Sequence, residues 1–431
     1  MSPWRTRIGC MAAVLWPLGC PAQSLQQTVV TALAQYPSIA SSQYKTRSAQ
    51  ADVSRARGAH WPQLSWSATW SDYNNSALPD RWVQSPVLSL NLWSGGRIQS
   101  DVERAQAQVK ASQQQEHLTR DEVALLGSEA YLQWAHHSQM VALARTNLLA
   151  HEKILQDFET ISQVDTGRRI DLNQAQVRYD NARLALIRSE TDMRVAAERV
   201  ARVLMAPPPA EPSGLDASPP VPYASLAQAQ AQLNDQHPAI AQLLAQCEAA
   251  QASVRYAQSQ SAPTVNLTHS KSTVPGFTQG QFVTQLQLNL PLIDGGTARG
   301  AVGVATANLQ ALEADLAETR LLLQEQLRAA WTSWEWSKTR VDLGQAQTQT
   351  AQNLASGYTQ QFRAGRRSLL DLLNIQSDLY TYQSNTAIAL NEYRLSQMRI
   401  LASLGQLAQA YMATPTALTS AAPTAQTTQP E

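Results

Sequence analysis

The side chains best able to do chemistry in this sequence are spaced wrongly for catalysis. Zinc binding by the adjacent pair His136-His137 needs an acidic or Cys partner at ligand spacing, and the neighbouring residues supply none. His151-Glu152 begins no HExxH motif, because Leu155 stands where the second His belongs. Cys247 lies in an Ala-rich stretch ten residues from His237, and no G-x-S-x-G occurs. Gly95-Gly96 and Gly295-Gly296 sit outside any GxxxxGK-S/T or GxGxxG pattern. They read as sharp strand-to-helix turns rather than phosphate cradles. No catalytic residue, metal site or cofactor is expected, and the zero formal charge without a strongly basic stretch argues against a nucleic-acid partner.

A different chemistry, reversible ion pairing, is possible at two breaks in long helical runs. TGRRIDLNQAQ (Thr166 to Gln176) and AGRRSLLDLLN (Ala364 to Asn374) each combine Gly, two Arg and an Asp. On residue type alone, Arg168, Arg169, Arg366 and Arg367 cap helix ends or stay solvated. A partly exposed Arg–Asp pair contributes on the order of 1 kcal/mol or less.

The elements that carry these groups come twice. SLQQ…PSIA (Ser24 to Ala40) returns as SLAQ…PAIA (Ser225 to Ala241), and Pro62 returns as Pro263, all shifted by 201 (225 − 24 and 263 − 62). LNLWSGG (Leu90 to Gly96) answers LPLIDGG (Leu290 to Gly296) at a shift of 200 (290 − 90). A period this long predicts a duplicated domain rather than a solenoid: repeat 1 over 23–205, repeat 2 over 224–412. The seven prolines of residues 206–223 make an extended linker between them. Residues 413–431 have the composition of a disordered tail.

Each repeat reads as helix, two strands, then a very long helix broken once. Helix over 37–60 starts with Pro37 at a tolerated first-turn position and stops before Pro62. Strands follow at about 62–71 and 83–93, and again at about 263–270 and 282–292. In QLSWSATWS, Leu64, Trp66, Ala68 and Trp70 alternate with polar residues, as do Leu88, Leu90 and Leu92, and Leu286, Leu288, Leu290 and Leu292. Alternation alone also fits a soluble sandwich. Trp61, Trp66, Trp70, Trp82 and Trp93 crowd one hairpin, however, and Trp favours the membrane interface. Four amphipathic strands with an aromatic belt point to a transmembrane β-barrel, which starts at about eight strands. One chain leaves open edges that lipid cannot satisfy, so several copies must pool their hairpins.

Residues 97 to about 161 and 297 to about 362 lack proline and are rich in good helix formers. About 65 residues span on the order of 100 Å, and helices that long survive only against others, as in a coiled-coil bundle. The breaks fall at about 162–171 and 361–371. Arg5 and Arg7 before the apolar run from Ile8 to Leu18 predict a signal peptide over 1–22, cut after Ala22, or else lipid modification at Cys20. After cleavage Cys247 alone remains, so no internal disulfide is expected.

With the duplicated order, the LPLIDGG turn and above all QFRAGRRSLLDLLN (Gln361 to Asn374), the chain resembles the TolC family of outer-membrane exit ducts. It is most similar to members that serve type I secretion of large adhesins. The resemblance implies an α+β membrane protein in the outer membrane of a Gram-negative bacterium. A homotrimer would close a twelve-stranded barrel in lipid, above a long helical barrel that crosses the periplasm. It also implies two partners, a periplasmic adaptor and an inner-membrane ABC transporter or other pump. Thr166, Gly167, Arg168, Arg169, Ala364, Gly365 and Arg366 would form the tip that docks the adaptor. Asp371 matches the acidic ring of the constriction, and Asn374 stands where the family carries a second acid, which halves the ring charge. Asp171 and Arg367 match a latch pair, with Phe362 in place of a Tyr found in some members. A multidrug efflux duct shares this fold and tip. The alternative of a different class is a soluble periplasmic coiled-coil scaffold or adaptor with a small sandwich.

Overall fold

The computed structural model describes residues 24–71, 81–208, 211–213, 218–271 and 280–413. The expected signal segment, with Cys10 and Cys20, and residues 414–431 of the expected tail lie outside the described residues.

The chain begins with α1 (Leu25–Gln35) and α2 (Pro37–Gly58), followed by β1 (Gln63–Ser71), β2 (Arg81–Trp93), α3 (Arg97–Val164) and α4 (Arg169–Leu204). The same order then recurs: α5 (Leu226–Gln230), α6 (Pro238–Gln258), β3 (Thr264–Lys271), β4 (Phe282–Asn289), α7 (Thr297–Arg363) and α8 (Leu369–Ser403), with α9 (Leu407–Ala413) last. Local chemistry sets the starts. Ser24 and Gln27 exchange side-chain and backbone hydrogen bonds as a capping box, and Pro37 and Pro238 occupy first-turn positions.

The boundaries shift from the sequence expectation where local chemistry intervenes. β4 stops at Asn289 rather than 292, because Pro291 has no N–H for a ladder. The helix breaks shrink to residues 165–168 and 364–368, since Asp165 and Ser368 cap the next helical turn almost at once. β2 starts at Arg81, and β1 and β3 each start one residue late.

α3, 68 residues long, packs on α1, α2, α4, α6 and α8 at different heights. It therefore buries different faces along its length, which is why Leu118, Leu125, Leu132, Leu148 and Leu155 keep no strict heptad. In the bundle α4 lies on α3, α3 on α8 and α8 on α7, leaving α4 and α7 at the sides of the layer. Both sides carry exposed apolar residues, among them Val177, Leu184 and Val195 on α4 and Leu321, Leu343 and Leu354 on α7.

The main core sits midway along the helices, where α1 and α9 lie on α3 and α8. Leu25, Tyr131, Leu132, Met398 and Tyr411 are fully buried there, each apolar side chain contributing about 1.5–3 kcal/mol. Ser128 donates to Ala124 O and lies 2.9 Å from the Tyr411 hydroxyl. Within the linker, Ser213 N donates to the Tyr131 hydroxyl at 2.8 Å, and that hydroxyl donates to Ser213 O.

Candidate functional site

The four strands form one antiparallel sheet in the order β1-β2-β3-β4, with β1 and β4 as edges. Register places Leu64 opposite Leu88, Trp70 opposite Trp82, Leu90 opposite Leu267 and Leu267 opposite Leu286. One face therefore carries the apolar residues of all four strands, interrupted by Gln84, His269 and Thr284. Ser67, Ser85, Asn91, Asn266, Gln285 and Gln287 occupy the other face, where Asn91 donates to Asn266 at 2.8 Å. Pro86 interrupts β2 without an N–H to offer, and the Ser85 hydroxyl donates instead to Lys271 O at 2.9 Å.

The apolar face is bare. Leu64, Trp66 and Leu288 are 76%, 66% and 68% exposed, and no second sheet covers them among the described residues. A sandwich within one chain would bury these side chains, and none forms among the described residues. Trp70 and Trp82 meet with ring centroids 5.7 Å apart at one end, and Trp61 and Trp93 lie at the other. From Trp82 to Trp93 is 93 − 82 = 11 residues. That is about 36 Å along the strand at roughly 3.3 Å per residue. At a tilt of about 45° its height is about 25 Å, the apolar band of a membrane barrel. The register shifts between Asn91 and Trp93, which brings Trp93 opposite Val265. The unbroken Leu88-Leu90-Leu92 alternation conceals this bulge.

The glycine pairs join sheet to helix in left-handed conformations, as their reading as turns requires. Gly95 has φ +60° and its missing Cβ would fall 2.2 Å from Ala262 Cβ. Ser94 and Asp294 cap the following helices, Asp294 accepting from Ala298 N at 2.7 Å. Those backbone donors, from Ala298 and Gly296, hold the Asp294 carboxyl below its usual range.

The two helix turns lie at the far end of the bundle from the sheet. In the first, Asp165 accepts from Gly167 N at 3.0 Å, Thr166–Arg168 make one 3₁₀ turn and Arg169 starts α4. Arg168 stands 3.7 Å from Asp165 and 3.9 Å from Asp171. In the second, Ala364 ends α7 and Gly365 takes φ +71°. Arg366 N then donates to Gln361 O at 2.8 Å, closing the turn. Ser368 caps α8, accepting from Asp371 N at 3.2 Å and donating to the Asp371 carboxylate at 2.8 Å. The Ser368 hydroxyl first, and Arg367 with it, lowers the Asp371 pKa. Asn374 is exposed one turn along the same helix.

Within the chain Arg367 does not pair with Asp171. Its Nη1 is 3.7 Å from Asp371, its Nε donates to Gln361 Oε1 at 3.0 Å, and its guanidinium carbon lies 4.2 Å from the Tyr358 ring centroid. Phe362 turns inward against Phe158, ring centroids 5.5 Å apart, in a cluster with Leu155, Leu369 and Leu373. Sequence reading passed over Tyr358 and Gln361. Only the reversal at Gly365 brings them beside Arg367, although Ser368 three residues before Asp371 was a legible cap.

His237 is structural. It caps α6 through Nδ1, which accepts from Ala239 N at 3.2 Å, and its Nε2 lies 3.2 Å from Ser403 O. Burial lowers the pKa of His136, His151 and His237. Among the described residues no cluster of three metal-ligating side chains occurs, and no helix is long and apolar enough to cross a membrane.

These features have counterparts. A profile of the family described as "Outer membrane efflux protein" matches residues 28–204 and 228–406. The chain is 26% identical over 402 residues to outer membrane efflux protein BepC of Brucella suis biovar 1 (strain 1330), covering 89% of this chain and 86% of the relative. It is 25% identical over 418 residues to protein CyaE of Bordetella pertussis, covering 92% and 88%. The crystal structure of the Campylobacter jejuni CmeC outer membrane channel superposes with a TM-score of 0.76 at 15% identity, over 89% of this chain and 85% of that one.

Proposed function

The chain belongs to the outer membrane efflux protein family, and from that premise we propose that it is the outer-membrane exit duct of a tripartite export system. It is an outer-membrane protein and its family members are transport ducts. In the proposed assembly three internally duplicated chains join β1 of one to β4 of the next, closing a twelve-stranded barrel. The helical layers join at α4 and α7, whose exposed apolar residues are then buried. The bare apolar sheet face with two open edges carries the reading. Hydrocarbon tolerates that face but not those edges, and only closure with further copies satisfies both.

At the periplasmic end the two helix turns form the tip. Gly167, Arg168, Arg169, Gly365 and Arg366 meet the adaptor protein, and Asp371 with Asn374 lines the constriction. Asp171 and Arg367 latch neighbouring helices in the closed state, so Arg367 must leave its partners within the chain to do so. The motif QFRAGRRSLLDLLN supports a large secreted protein as cargo, supplied by an inner-membrane ABC transporter. The family description and the name of BepC favour a second reading, small-molecule efflux.

Reconstitution of the detergent-extracted protein in a planar bilayer tests the duct. Small stable conductance steps are expected, and their absence contradicts it. Deleting the chain from its host separates the cargoes: loss of a secreted protein supports the first, loss of tolerance to toxic small molecules the second.

A further inference from the structure

We propose that Tyr358 is a gating residue, its ring holding the Arg367 guanidinium on its own chain in competition with the latch. The inference rests on the proposed duct and on the pairing of Arg367 with Asp171 in the closed state.

Arg367 is held from three sides. The Tyr358 ring lies under the guanidinium at 4.2 Å, Gln361 Oε1 accepts from Nε at 3.0 Å and the Asp371 carboxylate stands 3.7 Å from Nη1. The platform is fixed in advance. Tyr358 is half-buried against the cluster that contains Phe158 and Leu369, one helical turn before Phe362 on the same side of α7. Arg168 in the first turn is held more loosely, by carboxylates at 3.7 and 3.9 Å. The two tips therefore differ in the attachment of their arginines.

Held by Tyr358, Gln361 and Asp371, Arg367 makes no ion pair with Asp171 within the chain. The two arrangements are alternatives, and whatever stabilises one depopulates the other. Loss of an exposed cation–π contact moves such an equilibrium by roughly two- to five-fold per tip. Tyr358 thus biases the tip toward opening.

Single-channel recording on the purified assembly in planar bilayers tests this. Tyr358→Leu is expected to raise the ratio of closed to open time by about two- to five-fold or more. Tyr358→Phe keeps the ring and is expected to match the parent chain. In an Arg367→Ala background, Tyr358→Leu is expected to change nothing. An unchanged ratio in Tyr358→Leu, an equal effect in Tyr358→Phe, or an effect that persists without Arg367 overturns the proposal. Should Tyr358→Leu fail to assemble, Gln361→Ala, at an exposed position, is expected to shift the ratio in the same direction, and no shift overturns it. A parent chain that forms no channel overturns the duct reading itself. That outcome is distinguishable because Arg367→Ala is then silent too.

Discussion

Alanine placed at Gly95 and at Gly295 separates backbone strain from packing in two turns of nearly the same shape. Both glycines have left-handed φ, +60° and +67°. A Cβ there costs roughly 1–2 kcal/mol in either turn. Within one chain only the new Cβ at Gly95 strikes anything: it falls 2.2 Å from Ala262 Cβ, well inside contact distance, whereas nothing of the same chain lies within 4 Å of Gly295. Overpacking of this kind adds about 1–3 kcal/mol, so Gly95→Ala is expected to cost about 2–5 kcal/mol and Gly295→Ala about 1–2. The double change Gly95→Ala with Ala262→Gly removes the clash, leaving the new Cβ against Ala262 Cα at 3.5 Å and Pro263 O at 3.7 Å. Heat-modified mobility of the assembled protein in mild detergent reads the result. The expected order of dissociation temperature is parent, then Gly295→Ala together with the double variant, then Gly95→Ala. Equal losses in the two single variants, or no recovery in the double, refute the packing argument.

Arg367→Ala and Asp171→Ala are each expected to raise the conductance of the reconstituted pore, and unchanged steps in both remove the latch. Asn374→Asp adds an acid to the exposed face that carries Asp371, so cation preference measured by reversal potential in a salt gradient is expected to rise; no change would show that Asn374 does not line the constriction. Asp121 is buried, accepts from Ala408 N at 2.7 Å and has its pKa raised to about 6 by desolvation. Its folded-state pKa exceeds the unfolded value, so its contribution to stability increases as pH falls through about 6. Burial lowers the pKa of His237, His136 and His151, whose contributions are lost as pH falls below the ordinary histidine range. Asp121→Asn is therefore expected to steepen the loss of stability between pH 7 and 5, by roughly 1 kcal/mol. Identical pH slopes in denaturant titrations would contradict this.

The sheet was largely legible because strand alternation has a period of two and survives in a single sequence. Leu64, Trp66 and Trp70 lie on one face as their spacing requires. The bulge at Trp93 was hidden because Leu92 continues the pattern, and register depends on the partner strand. Proline and glycine punctuation located the turns, but their exact length followed from the Asp165 and Ser368 caps. The long helix α3 showed no clean stripe because it is surrounded. At the tip the sequence pointed to Arg367 and Asp371 through their motif. It could not point to Tyr358, nine residues before Arg367, because that contact depends on the chain reversal at Gly365.

Native mass measurement of the protein extracted from outer membranes in detergent tests the central claim, that several copies close one barrel. The account predicts a single species of three chains. A monomer that stays in water without detergent, its sheet edges unpaired, would contradict it.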